Sequence, residues 1–195
     1  MVRSPAYWLA AGVVLLCIVL QYAGLAGSLR FDRSAIDNGQ WWLLLTGNFV
    51  HLGESHLWMN LAGFALVVAL VWSRFTTIQW VLHIIFSSFI VGAGLWFLNP
   101  DVYGYVGFSG TLHGLIIAGT LADLKHYPRS AAILLALIVS KLAWEQFSGA
   151  LPGSESVAGG AVIVDAHMYG AVGGAVLGLA MLYAASRSKS SAARR

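Results

Sequence analysis

Residues 77–98 read TIQWVLHIIFSSFIVGAGLWFL, without one Asp, Glu, Lys or Arg. A hydrocarbon core takes about 20 apolar residues of helix to cross. The stretch therefore reads as a membrane helix, and the chain on either side follows the same pattern. Residues 7–27 and 56–73 precede it as apolar stretches, and 109–123, 130–147 and 164–186 follow it. Asn99-Pro100-Asp101, Tyr127-Pro128-Arg129 and Leu151-Pro152-Gly153 punctuate the later breaks. Across 195 residues, 58% are hydrophobic and 10% charged, against about 45–50% and about 25% in soluble domains. Mean hydropathy is +0.76. The expectation is an all-α polytopic membrane protein, a six-helix bundle forming a single domain over residues 1–195. This apolar composition excludes disorder, a collagen-like fibre and a disulfide-rich secreted module, and Cys17, the only cysteine, allows no internal disulfide and no cysteine-rich metal site. Nucleic acid is not an expected partner: net charge is +3 and the basic residues are scattered at segment ends.

Residues 28–55 form the longest link, read as a first outer loop. It contains Trp41-Trp42-Leu43-Leu44-Leu45, an interfacial run because tryptophan favours the headgroup level. With the N-terminus in the cytoplasm, six crossings place Arg3, Arg74, Lys125, Arg129, Arg187, Lys189, Arg194 and Arg195 inside. Residues 187–195 then form a basic cytoplasmic tail. Only Arg30 and Arg33 lie outside, and Lys141 sits within the fifth helix. The small-residue pattern at 23–27 resembles a signal-peptide cleavage site, but the preceding apolar run is long for one.

Polar residues inside a membrane are costly and point to function by default. Here they fall at one depth, since helices two, four and six all start on the outer side. His56 and Asn60 open helix two at i, i+4, Ser109 and His113 open helix four at the same spacing, and His167 opens helix six. Gly170, Gly174 and Gly178 continue the His167 face. Such a stripe lets helix six press on helix four and bring His167 to Ser109. A serine hydroxyl needs an adjacent base to act as nucleophile, and imidazole can take and return its proton. His56, the Asn60 amide and the Ser109 backbone N–H are candidate donors to an oxyanion.

Bland readings compete at each position. Ser109 alone fits a helix cap, His56 and Asn60 an interhelical hydrogen-bond pair, and His167 a structural histidine. Asp165 is expected to face elsewhere, so a Ser–His dyad is favoured over a triad. Lys141 and Glu145 read as a structural i, i+4 pair. Ser87, Ser88 and Ser140 read as bonded back to their own helices, His83 as core packing and His126 as solvated. His51 and His56 do not match a His-Glu-x-x-His zinc arrangement. No metal and no cofactor is expected.

His56-x-x-x-Asn60, Gly107-x-Ser109-Gly110 and Ala166-His167-x-x-Gly170-x-x-x-Gly174, in that order, resemble the motifs of the rhomboid intramembrane serine proteases. The resemblance implies Ser109 as nucleophile, His167 as general base, and His56 with Asn60 at the oxyanion. Gly107, Gly110, Gly170 and Gly174 support them. It also implies a lateral gate at helices two and five, where Trp58, Met59, Trp144 and Phe147 are bulky. Many rhomboids carry Trp-Arg in the first loop, whereas Trp42 precedes Leu43 here. The usual tyrosine four residues after the serine is His113, which would inherit its stacking on the catalytic histidine. Residues 107–114 and 165–170 are similar to the rhombosortase branch. That likeness implies transmembrane substrates with Gly-Gly-type C-terminal sorting tails in a bacterial inner membrane. A non-catalytic rhomboid-fold protein that binds membrane clients is the alternative. A transporter fits less well, because the polar cluster lies near one surface rather than at the midplane.

Overall fold

The computed structural model describes residues 4–192; Arg3, Arg194 and Arg195 of the charge pattern lie outside the described residues. Six helices carry the fold: α1 (Ser4–Tyr22), α5 (Glu54–Val71), α6 (Thr77–Leu98), α7 (Ser109–Asp123), α8 (Pro128–Ser148) and α10 (Val164–Ala192). Short helices α2 (Ala26–Leu29), α3 (Arg33–Asp37) and α4 (Leu43–Thr46) lie in the first link, and α9 (Ser154–Ala158) lies before α10. Each apolar stretch of the sequence has become one of the long helices.

Four of these are long and apolar enough to cross a membrane: Glu54–Arg74, Thr77–Leu98, Pro128–Ser148 and Val164–Ala184. The apolar part of α1, Tyr7–Tyr22, is shorter. α7 has 15 residues; at 1.5 Å per residue it is about 22 Å long. It can be short because it is walled in by α5, α6, α8 and α10, so protein rather than lipid surrounds its ends. Nine of its residues are buried. Outward faces are apolar and bare: Leu66 and Leu70 on α5, Ile78, Leu82, Ile85 and Phe89 on α6, Ile133 and Leu137 on α8. Their helical spacing marks continuous stripes that a soluble monomer does not expose.

The first link is fastened to the bundle rather than loose. Trp41 and Trp42 are exposed while Leu43 and Leu44 are buried, as an interfacial run requires. A Cβ on Gly92 of α6 would collide with the Leu44 carbonyl, so α4 lies directly on that helix. Arg33 supplies the main tie. Its guanidinium donates to the carbonyls of Leu95 (2.7 Å), Trp96 (2.9 Å), Asn99 (2.8 Å) and Val102 (3.0 Å). It thus ties the first link to carbonyls at and just beyond the end of α6, where the helix dipole favours a positive charge. The loop therefore has an arginine anchor, at position 33 rather than after Trp42. One element was not anticipated: β1 (Phe31–Asp32) pairs antiparallel with β2 (Gly104–Tyr105), Phe31 opposite Tyr105. This small ladder joins the first link to the segment leading into α7.

Candidate active site

Gly107 shapes the turn that presents the serine. Its φ is 125°, a conformation that residues with a Cβ rarely adopt. A Cβ there would also stand 2.8 Å from the His56 ring. Its N–H donates to the Gly47 carbonyl at 3.0 Å, and its carbonyl accepts from the buried Tyr105 hydroxyl at 2.7 Å. Phe108 is buried completely, and α7 starts at Ser109 without a side-chain cap. Ser109 is therefore not the capping serine of the bland reading. Its own amide is in the first turn, where helical acceptors are missing.

α7 and α10 touch backbone to backbone. A Cβ on Gly170 would collide with the Gly110 carbonyl, and one on Gly174 with the Gly114 carbonyl. Conversely, a Cβ on Gly110 would meet the Ala166 carbonyl at 2.7 Å. This seam brings His167 Nε2 to 2.9 Å from Ser109 Oγ. The juxtaposition expected from the glycine stripe is present.

The surroundings of His167 depart from the dyad expectation. His167 Nδ1 lies 2.9 Å from Glu145 Oε2, and Lys141 Nζ donates to the same oxygen at 2.7 Å. Glu145 is 3% exposed, so its charge needs these partners. Lys141 Nζ also donates to His113 Nε2 at 2.8 Å, and His113 Nδ1 donates to the Ser109 carbonyl at 2.7 Å. These partners assign both tautomers. His113 carries its proton on Nδ1. His167 carries its proton on Nδ1 toward Glu145, leaving Nε2 to accept from Ser109. The 3.2 Å between Lys141 Nζ and His167 Nδ1 is then two donors meeting at one carboxylate oxygen. The result is a closed ring of hydrogen bonds: Ser109 hydroxyl, His167, Glu145, Lys141, His113 and back to the Ser109 carbonyl. His113 also stacks on His167, ring centroids 4.4 Å apart at 23°.

The Glu145 carboxylate at His167 departs from the favoured Ser–His dyad and from the reading of Lys141 and Glu145 as a purely structural pair. Lys141 and Glu145 do form the i, i+4 pair, but that pair is built into the site. A lysine and a glutamate inside an apolar helix were the signal; which way their face turned was not legible. Asp165 does face elsewhere, accepting from Asn99 Nδ2 at 2.6 Å.

His56 is buried, and its Nδ1 accepts from the Leu52 N–H at 3.4 Å. That leaves the proton on Nε2, the nitrogen nearest Gly107. Asn60 Nδ2 donates one proton to the His56 carbonyl at 3.0 Å and has a second to offer. His56, Asn60, Ser109 and His167 all line one cavity of about 490 Å³. Its outer wall includes Leu52, Met59, Leu151 and the Gly159-Gly160 segment. His51 packs edge-on against His56, centroids 5.2 Å apart. Burial, with the His56 ring beside it, pushes His51 down to about 3, so it is neutral at physiological pH. In the first link, the Ala35 N–H and then the Arg30 guanidinium hold the Asp32 carboxyl below its usual range.

Other expectations divide. His83 is core, packed 4.5 Å from Phe75, and His126 is exposed. Ser88 does not bond back to its helix: its hydroxyl pairs with Thr111 of α7 at 2.7 Å. Ser87 has no partner for its hydroxyl among the described residues, and Ser140 is exposed. Helix–helix proximity gives Ser88 a better acceptor than its own turn. His113, Glu145 and His167 offer metal-ligand atoms all within 4.8 Å of one another. The Lys141 ammonium stands among them, so the chain's own charge takes the position of a cation.

No curated protein sequence matches the chain. A family profile described as the Rhomboid domain matches residues 38–184, from the end of α3 through most of α10. With the motifs at 56–60, 107–110 and 166–174 inside that span, the chain belongs to the rhomboid family, a family of multi-pass membrane proteins.

Proposed function

We propose that the chain is an intramembrane serine endopeptidase. The observation that carries this is the 2.9 Å approach of Ser109 Oγ to His167 Nε2 on a cavity among apolar helices. Rhomboids are in general intramembrane serine proteases, which agrees with it. Ser109 Oγ attacks the scissile carbonyl while its proton passes to His167 Nε2. The carbonyl π pair moves onto oxygen, where His56 Nε2–H, the free Asn60 proton and the Ser109 amide can donate. Collapse expels the amine, which takes the proton from His167 Nε2. Water then repeats the sequence on the acyl-enzyme, releasing the acid and restoring Ser109.

An intact substrate helix keeps its carbonyls bonded, so cleavage needs local unwinding at small residues. Entry fits between α5 and α8: α5 packs chiefly on α7, α1 and the short α9, and α8 on α7 and α10. Trp58, Trp144 and Phe147 are exposed on these helices. The finer reading is a rhombosortase of the bacterial inner membrane that acts on Gly-Gly-type C-terminal tails. It crosses six times, with both termini cytoplasmic and the site opening outward.

The test is cleavage of membrane-anchored substrates with and without a Gly-Gly tail by the full chain in liposomes. Ser109→Ala and His167→Ala are each expected to lower turnover by about a thousandfold or more. His56→Ala or Asn60→Ala should lower it by about a hundredfold. If the serine and histidine variants cleave like wild type, the assignment is wrong. If wild type binds substrates without cutting any, the client-binding alternative takes its place. Equal cleavage of both substrates sinks only the rhombosortase reading.

A further inference from the structure

Beyond Ser109 and His167, the ring contains three ionisable side chains on two helices that a two-residue mechanism does not use: Glu145 and Lys141 on α8 and His113 on α7. We propose that Glu145 is the positioning residue of His167, held by Lys141, which is held in turn by His113. This rests on the proteolytic reading above and extends it from a Ser–His pair to a Ser–His–Glu chain.

The chemistry needs His167 in one tautomer. Nε2 can take the serine proton only if the neutral ring keeps its own proton on Nδ1. A carboxylate oxygen at 2.9 Å from Nδ1 enforces that, because it accepts and cannot donate. It also faces the positive charge that appears on the ring as the proton moves. Glu145 sits on α8, however, and a lone carboxylate could turn away. Lys141 donates to the same oxygen at 2.7 Å, and this fixes which oxygen faces His167. Lys141 in turn is held through His113 Nε2 at 2.8 Å, and His113 through the Ser109 carbonyl at 2.7 Å. The nucleophile's own backbone therefore aligns the carboxylate that orients its base. The Lys141–Glu145 pair is internally neutral, so it leaves no uncompensated charge beside the resting imidazole.

The experiment uses the full chain in liposomes. It measures kcat and KM on a membrane-anchored substrate, and the rate at which a fluorophosphonate labels Ser109. Glu145→Ala should lower kcat by about a hundredfold with KM nearly unchanged, as expected when a base is misaligned but binding is not. Labelling should fall in parallel. Glu145→Gln retains an oxygen that accepts from Nδ1–H, and should lie between Ala and wild type. Glu145→Asp should also recover part of the activity. Lys141→Met should lower kcat by about tenfold, and adding it to Glu145→Ala should cost little more, because both act through one oxygen.

Where Glu145→Ala does not accumulate, the isosteric Glu145→Gln decides by the same readouts. A kcat within twofold of wild type for Glu145→Ala overturns the inference. Independent, multiplying losses from Lys141→Met and Glu145→Ala overturn it too. A wild type that neither labels nor cleaves removes the proteolytic reading itself, and this inference with it.

Discussion

α10 and α8 both bring groups to the same serine, and they are held in opposite ways. In its most apolar window α10 is 39% buried and α8 only 17%. α10 lies against α7 through glycines whose missing side chains let carbonyls touch the neighbouring Cα atoms. α8 is buried only at Ala131, Leu142 and Glu145. The spacing of the two helix backbones that carry Ser109 and His167 is thus set by direct contact, which no side chain between them can relax. The Glu145–His167 separation is set by side chains reaching from a helix with little else to hold it. Nucleophile and base stand on the rigid part of the bundle, and the group that orients the base stands on the part most easily displaced.

The largest effect that could break this contrast is at the seam. In Gly170→Ala the new Cβ meets the Gly110 carbonyl, so the two helices must part. Overpacking of this kind costs about 1–3 kcal/mol, and cleavage should fall by about a hundredfold or more as His167 moves off Ser109. Unfolding in mixed micelles and a cleavage assay measure the two; wild-type behaviour in both would mean the seam does not set the site. Farther along the same stripe the contact loosens. A Cβ on Gly178 would stand 3.3 Å from Ala118 Cα, and Gly178→Ala should change stability by no more than about 1 kcal/mol. A loss as large as that of Gly170→Ala would show that the stripe acts as a whole. The smallest effect is on α8. Phe147 is 91% exposed, and Phe147→Ala should shift stability by less than about 0.5 kcal/mol. A larger loss would place α8 among the well-held helices.

Most of the bundle was readable because a membrane helix declares itself locally. Each of the apolar stretches is a helix, and Ser109 and Val164 begin α7 and α10 as expected. The facing of α10 on α7 was also readable, since glycines at intervals of four mark a close-packed face. What stayed hidden involved partners far apart in sequence. Arg33 looks like an ordinary outer-loop cation until the end of α6 lies above it. Ser88 looks self-bonded until Thr111 arrives. Lys141 and Glu145 look like a self-contained pair because i, i+4 spacing satisfies both charges by itself. Nothing in the spacing says that the glutamate has a further lone pair turned toward α10.

The sequence alone determined that the chain is an apolar helical bundle, and which helix ends carry the serine, the histidines and the asparagine. Those properties follow from composition and from periodicity along one helix. Only the tertiary structure decided that His167 has a carboxylate at its back and that the ring of hydrogen bonds closes on the Ser109 carbonyl. Whether a polar group on one helix meets one on another depends on the rotation and separation of both. Those are fixed by how backbones pack, not by the order of residues within either helix.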